Sequence, residues 1–371
     1  MQRRFLLSAA LASLGLVAPW RVQAAVARAK PGTRLLSARA NGSGAYAVSA
    51  LDAAGYPVLD VPLRERGHGM ALHPGGREAV CLARRPGDYL LVLDLEGGAV
   101  VSLHRTPEDH YCCGHGVFSS DGALLYTTEN SLDGAAGQIG VWDATDGYRR
   151  VGELPSYGMD PHELLLSADG EALMVANGGI LTRIETGRAK LNLDSMAPTL
   201  VLLDRRDGRL LEQHQLAPQW HQLSIRHLAR GRHGIICVAL QFEGPPSERP
   251  PLIAFHRPGQ DLELATAPTE VQTAMRNYCG SVAADRSGDW FAISAPRGNL
   301  VTFWGADGCF KSHTQVIDGC GVAPGETAGS FLISSGTGTL HRHDCLTNAT
   351  TELPVLSPEV IQWDNHLAIC T

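Results

Sequence analysis

Histidine and cysteine residues recur along this chain at intervals of 41 to 59 residues, each at the start of a short apolar segment. Imidazole nitrogen and thiolate sulfur are ligands of copper, zinc and iron, whereas magnesium and calcium prefer oxygen. If these segments converge in space, the sequence predicts a transition-metal site, with iron or copper as the candidate metals. The seven candidate ligands are His68, His115, His162, His221, Cys279, Cys320 and His366.

A structural role is the alternative for each of these histidines. A repeat protein copies its residues, and a buried imidazole after a turn often hydrogen-bonds the backbone of the neighbouring repeat. Metal binding by at least three of the seven residues and a purely structural set both remain open from sequence. The glycines beside the first two histidines permit a tight backbone under either interpretation: Gly67, Gly69, Gly114 and Gly116.

Polar residues close to the histidines are candidates for orienting an imidazole, because a metal-bound histidine usually donates its second N–H to a carboxylate. They are Asp160 and Glu163 around His162, Asp364 and Asn365 before His366, and Arg226 and His227 after His221. Inter-blade ion pairs are the alternative, and for Arg226 the preferred one. The adjacent Cys112 and Cys113 allow a vicinal disulfide or metal ligation, but an incidental position is preferred.

Each candidate ligand lies at the start of a repeat whose sequence predicts a β-hairpin. Three repeats are clear: an apolar segment begins at His68, His115 or His162, a turn containing glycine follows, and a second apolar segment comes next. Two further strand-like segments complete a repeat, as residues 89–94 and 99–103 do. A period of ~40–50 residues with four strands is typical of a propeller blade.

The two ends of the chain complement each other. The last repeat contains only an inner strand, residues 366–370, whereas three strand-like segments without an inner strand precede the first repeat, at 34–38, 45–51 and 57–61. Pairing the two ends completes one blade and leaves no open edge. The sequence therefore predicts an all-β, seven-bladed β-propeller, a single domain over residues 26–371, whose C-terminal inner strand joins the N-terminal strands. An open array or a sandwich is the alternative.

Residues 1–25 have the composition of an export signal. Arg3 and Arg4 precede an apolar run over residues 5–17, and small residues follow at 22–24. The paired arginines favour the twin-arginine type, and the run is shorter than the ~20 residues that a membrane span needs. We therefore expect a periplasmic, monomeric mature protein without stable membrane insertion.

Composition and missing motifs exclude several functions. A formal charge of −7 argues against nucleic acid as a partner, because phosphate binding needs a basic surface. The absence of Cys-x-x-Cys-His excludes covalent c-type haem, and the common hydrolase and P-loop motifs are also missing. An insertion at residues 177–198 carries Arg183, Arg188 and Lys190, which would meet an anion if the loop folds over one mouth of the propeller; a solvated loop is the alternative.

The motifs RGHGMALHP, GHGVFSSDG with LLYTTEN, PHELLLSADG, VANGGI, GRAKLNLDSMAPTL, HQLSIRHLA and WDNHLAI resemble the bacterial family called domain of unknown function 1513. The resemblance spans essentially the whole mature chain and implies an exported propeller of the YVTN/WD40-like type. It also implies imelysin-like and other periplasmic iron-uptake proteins as partners, because family genes often lie beside theirs. It transfers no active site, and Cys112-Cys113 depart from the aromatic residues usual before that Gly-His.

Three functions follow as hypotheses. The first is a periplasmic propeller for metal acquisition or handling, with iron as the metal that the resemblance implies. The second is a metal-dependent oxidoreductase, and the third is a metal-free scaffold for protein interactions. The fold alone does not choose among them, because propellers carry both enzymes and binding platforms.

Overall fold

The computed structural model describes residues 34–132, 136–187 and 189–370. The predicted signal peptide, residues 1–25, lies outside the described residues. Within the described part the chain is almost entirely β-structure, with one short helix, α1 (Thr269–Ala274), and none of its helices has the length and apolarity to cross a membrane. Short 3₁₀ segments occupy Ala144–Asp146, Ile184–Thr186, Leu193–Ser195, Pro218–Trp220, Arg232–Gly234 and Pro296–Gly298.

Seven antiparallel sheets form a seven-bladed β-propeller, as the repeat predicts. Blade 1 contains β1 (Arg34–Asn41), β2 (Tyr46–Asp52) and β3 (Pro57–Leu63). Blade 2 contains β4 (Gly67–Leu72), β5 (Glu78–Ala83), β6 (Tyr89–Asp94) and β7 (Ala99–Arg105). Blade 3 contains β8 (His110–Phe118), β9 (Leu124–Ser131), β10 (Gly137–Asp143) and β11 (Arg149–Pro155). Blade 4 contains β12 (Pro161–Leu166), β13 (Ala172–Asn177), β14 (Thr199–Asp204) and β15 (Leu210–His214).

The remaining strands complete the ring. Blade 5 contains β16 (Leu223–Arg230), β17 (Ile236–Phe242), β18 (Ile253–His256) and β19 (Glu263–Ala265). Blade 6 contains β20 (Ser281–Ala284), β21 (Trp290–Ala295), β22 (Leu300–Gly305) and β23 (Phe310–Gln315). Blade 7 contains β24 (Gly319–Pro324), β25 (Ser330–Ser335), β26 (Leu340–Asp344) and β27 (Ala349–Leu353). The C-terminal β28 (Ile361–Trp363) and β29 (Ala368–Cys370) return to blade 1.

The two ends of the described chain close the ring, as the sequence predicts. Both β28 and β29 pair with β1, in a register that places Trp363 opposite Arg39 and Ile369 opposite Leu35. The inner strand of blade 1 thus begins earlier than residue 366 and is interrupted at residues 364–367. Within this interruption the backbone N–H of Asp364 still donates to the carbonyl of Ala38, while the Asp364 carboxylate and the His366 ring contact His68.

Burial falls from the middle of each blade to its outer edge. In blade 2, β5 and β6 are buried almost without a break, whereas the outer β7 alternates between exposed and half-buried residues. Strands covered on both faces by neighbouring blades lose the two-residue alternation, and the outer strand keeps it. The apolar core therefore lies between blades, which hold the inner strands in fixed positions.

Backbone irregularities interrupt the inner strands of four consecutive blades. The pairing shifts between Gly67 and Met70 in β4, between Cys112 and Gly116 in β8, between Pro161 and Glu163 in β12, and between Ile225 and His227 in β16. A β-bulge changes the direction of the side chains around it. These irregularities lie where the histidines of blades 2 to 5 occur.

Candidate metal centre

Five imidazoles meet at the centre of the ring. They belong to His68, His115, His162, His227 and His366, and eight pairs of their rings have centroids 4.4 to 6.1 Å apart. Two trios bring their ligand nitrogens within 4.8 Å of one another: His68, His115 and His162, and His115, His227 and His366. His115 therefore occupies the pivotal position of this histidine cluster.

The nitrogen geometry fits a metal ion. The Nε2 atoms of His68 and His366 are 3.2 Å apart, close to the separation of about 3.3 Å that two ligands at the usual zinc–nitrogen distance have in a tetrahedral site. The Nε2 atom of His115 is buried and has no hydrogen-bond partner. A buried polar atom without a partner is costly, and a coordinated ion would satisfy it.

Carboxylates approach the opposite nitrogens of three cluster members. Nδ1 of His68 lies 2.9 Å from an oxygen of Asp364, and Nδ1 of His227 lies 3.0 Å from an oxygen of Glu163. The other Glu163 oxygen is 3.7 Å from Nδ1 of His115. A proton on Nδ1 donated to a carboxylate leaves the Nε2 lone pair free, which is the arrangement of metal-bound histidines.

Burial keeps the cluster in the protonation state that metals require. It lowers the pKa of all five histidines, and the neighbouring imidazoles and the Arg226 guanidinium lower the pKa of His115 and His162 further. Burial also raises the pKa of Glu163 to about 8. At Asp364, burial is outweighed by the His68 hydrogen bond and the charge of Arg66, which hold the pKa of that carboxyl well below its usual range. Neutral imidazoles are the ligand form.

We expect the metal-free protein to lose stability on acidification. As the pH falls below about 6.5, the unfolded chain takes up protons that the folded cluster excludes. Glu163 opposes this, because its raised pKa lets the folded state hold a proton that the unfolded state has released. The net loss in the free energy of unfolding between about pH 7 and about pH 6 should be about 2 kcal/mol, measured by urea unfolding after chelation. The double variant His115→Ala/His162→Ala should show a shallower slope; a pH-independent wild type would contradict the expectation.

The structure brings together four of the seven predicted ligands and leaves three outside the cluster. His221 follows a 3₁₀ turn before β16, where its Nδ1 lies 3.1 Å from the carbonyl oxygen of Pro218. The thiol of Cys279 donates to the carbonyl of Leu252. The thiol of Cys320 donates to the Asp364 carbonyl at 3.2 Å. Burial raises the pKa of each of these two thiols to about 12, and neither thiol belongs to a ligand trio in the described part of the chain.

His227 takes the place that the sequence assigned to His221. The signal that identifies it is hairpin length: the second strand of the blade begins ten residues after His68, nine after His115 and ten after His162. In blade 5 the second strand begins nine residues after His227 but fifteen after His221. The six-residue error arises because His221 lies in the connection between blades 4 and 5, directly after the 3₁₀ turn Pro218–Trp220 and before β16 begins at Leu223.

The predicted orienting carboxylates contact other partners than their sequence neighbours. Glu163 reaches His227 and His115, and Asp364 reaches His68. Asp160 contacts no predicted ligand but pairs with two guanidiniums, those of Arg85 and Arg226. The interpretation of Arg226 as an inter-blade ion pair is therefore confirmed.

Two further sequence features have structural roles. Cys112 and Cys113 are buried free thiols, so no vicinal disulfide forms. Gly114 has φ +106°, and a Cβ there would lie 2.6 Å from Cδ2 of His68. This glycine permits the close approach of the backbone of blade 3 to the imidazole of blade 2.

A second trio of potential ligands lies on outer strands of the propeller. Glu212, His214 and His256 bring one ligand atom each within 4.8 Å of one another, with Glu212 exposed and His256 buried. The trio is on β15 and β18, away from the inner strands that carry the histidine cluster. It provides a matched control for metal binding at the centre.

A cavity of about 400 Å³ opens beside the histidine cluster. Arg226 and Asn365 line it, and each directly precedes a cluster member in the chain. Arg66 also lines it and binds Asp364, the carboxylate that orients His68. These residues place the cavity next to the cluster. We call this cavity the mouth.

Comparisons with known proteins identify a family and a fold. Residues 61–370 match the family described as "Protein of unknown function (DUF1513)". Hydrazine synthase of Kuenenia stuttgartiensis is similar in structure at 15% identity and a TM-score of 0.59, over 84% of this chain and 90% of that one. A functionally unknown protein of Desulfotomaculum acetoxidans DSM 771 is similar at 12% identity and a TM-score of 0.63, over 92% and 99%. No curated protein matches the sequence. At these identities the structural likeness shows the fold alone.

Proposed function

The chain belongs to the DUF1513 family, and we propose that it is a periplasmic propeller that binds a first-row transition metal at its central histidine cluster and serves in metal acquisition or handling. Iron is the metal that the sequence resemblance implies, and copper is the second candidate. Export rests on the paired arginines Arg3 and Arg4, and association with imelysin-like iron-uptake proteins rests on the resemblance.

One observation carries the proposal: imidazoles from five blades cluster at the centre of the ring, and the Nε2 atom of His115 is buried among them without a hydrogen-bond partner. Most buried side-chain polar atoms in proteins have at least one hydrogen-bond partner. Here the carboxylate of Asp364 and the carboxyl group of Glu163 contact Nδ1 atoms, and the Nε2 atoms of His68 and His366 face each other. This arrangement supports a metal site over a packed core.

The types of ligand in the cluster limit the choice of metal. The two trios contain imidazole nitrogens alone, and the nearby thiols of Cys279 and Cys320 donate to backbone carbonyls instead. Imidazole suits iron, copper, nickel and zinc, whereas thiolate and thioether ligands select Cu(I), zinc and iron–sulfur clusters. The proposal is therefore a divalent ion of this group, with iron tested first.

Elemental analysis of the tag-free protein purified from the periplasmic fraction tests the proposal. We expect at least one equivalent of a transition metal per chain, retained by the control variant His214→Ala/His256→Ala, which removes the outer trio. Recovery from the periplasm also tests export. A wild-type protein that holds no transition metal after incubation with iron, copper and zinc would leave the metal-free scaffold as the function.

A metal-dependent oxidoreductase is the second candidate, and the mouth is the observation that favours it. Arg226 and Asn365, which directly precede cluster members in the chain, line an open cavity that would bring an external molecule close to a bound ion. A visible absorption spectrum that changes with an electron donor, followed by turnover, distinguishes this function from storage or transfer of the metal.

A further inference from the structure

We propose that the mouth binds a small oxyanion with at least two negatively charged oxygens, a polycarboxylate or a phosphate, and that one of its oxygens reaches the metal. The second half of this statement rests on the proposed function, whereas the first half stands on the residues of the mouth alone.

Cationic side chains dominate the lining of the mouth. Two carboxylates, Glu243 and Asp318, also line it. The cations outnumber these carboxylates three to one and come from blades 2, 4, 5 and 6 and the segments beside them: Arg66, Arg84, Arg85, Lys190, Arg226 and Arg297. On a protein of formal charge −7, such a concentration of positive charge in a concave surface focuses the field on anions.

The ion pairs around the mouth do not balance all of its positive charge. Arg85 and Arg226 share a single carboxylate, that of Asp160. The Arg226 side chain is only 9% exposed, and its Nε atom is buried without a hydrogen-bond partner. An unsatisfied N–H on a buried guanidinium is costly. A carboxylate or phosphate matches the fork of a guanidinium and would satisfy it.

A chain of contacts connects the far wall of the mouth with the cluster. The guanidinium of Arg297 lies 4.1 Å from the ring centre of Tyr278. The Tyr278 hydroxyl accepts a hydrogen bond of 3.3 Å from the side chain of Asn365, the residue before His366. An anion held by Arg297 and Arg226 would therefore lie beside the imidazoles, where one of its oxygens can complete the coordination of an ion.

The insertion at residues 177–198 contributes to the mouth, as one of the two sequence interpretations expects. Lys190 lines it and pairs with Glu243 across the gap between blades 4 and 5. Arg183 is exposed and does not line the mouth, and Arg188 lies outside the described residues. One of the three predicted cations is therefore at the site.

Calorimetric titration with succinate and with inorganic phosphate tests the proposal on metal-free and metal-loaded protein. Both anions are weak chelators, so the ion stays in place, and metal content is measured again after each titration. The mouth variant is Lys190→Gln/Arg297→Gln. The control is Arg206→Gln/Arg77→Gln, which removes the same charge from exposed arginines paired on the outer surface.

We expect wild type to bind at least one anion, and the mouth variant to bind it at least about tenfold more weakly with unchanged metal content. The control should stay within about twofold. The tighter of the two anions identifies the ligand class. Metal loading should increase the affinity, and the variant His115→Ala/His162→Ala should lose only this increase.

Two results would overturn the inference: binding of neither anion by wild type in either form, or an equal loss in the control variant. An affinity that does not respond to metal in a loaded protein overturns the contact between anion and ion. Because the metal-free titrations do not depend on the ion, failure of the metal proposal and failure of the anion site are distinguishable.

Discussion

Replacing His115 and His162 together with alanine should abolish stoichiometric metal binding and leave the propeller folded. His115 belongs to both ligand trios, and His162 completes one of them. After this substitution the imidazoles of His68, His227 and His366 remain, and neither of the two ligand trios is complete. The Glu163 side chain cannot replace a lost imidazole, because it contacts His227 and accepts a hydrogen bond from the backbone N–H of Leu228. Elemental analysis after metal incubation gives the measurement.

Matched variants separate the cluster from general effects of losing histidine. His221→Ala removes one of the three predicted ligands that lie outside the cluster, and His214→Ala/His256→Ala removes both histidines of the outer trio. Both should keep the wild-type metal content at the centre, and circular dichroism should show an intact β-fold for all variants. If the cluster variant retains its metal while the outer-trio variant loses it, the site is on the outer strands and the central proposal is wrong.

Asp160→Asn should destabilise the protein by about 3–5 kcal/mol, because it leaves two guanidiniums without their shared counter-charge. Asp160 is fully buried and pairs with Arg85 of blade 2 and Arg226 of blade 5. Its backbone has φ +54°, which asparagine tolerates better than most residues, so the substitution removes charge without adding backbone strain. Urea unfolding of the metal-free protein gives the free energy change.

The control for this variant is an exposed pair. Asp146 and Arg149 are each 62% exposed, and Asp146→Asn should change the stability by no more than about 1 kcal/mol. At Asp160, burial is outweighed by the charges of Arg85 and Arg226, which lower the pKa of the carboxyl. Its contribution is therefore present above the unfolded-state pKa of about 4 and is lost as the pH falls further. A loss for Asp160→Asn as small as the control's would mean that water solvates these guanidiniums.

The repeat alone determines the fold and most of the cluster. Hairpin signals at a blade's spacing, with an inner strand missing at one end and present at the other, predict seven blades and their closure, and β28 and β29 pair with β1 accordingly. The same frame identifies His68, His115, His162 and His366, because equivalent positions of inner strands converge wherever blades surround one axis.

Only the tertiary structure decided the rest of the site. His227 replaces His221, because His221 lies in the connection that follows the 3₁₀ turn Pro218–Trp220, whereas His227 lies within the inner strand β16. Cys279 and Cys320 begin repeats in the sequence, yet their thiols face backbone carbonyls. Glu163 and Asp364 orient histidines of other blades. Side-chain direction within a regular strand follows from alternation, but bulges and contacts between blades depend on the packing of segments far apart in the chain, which local sequence does not encode.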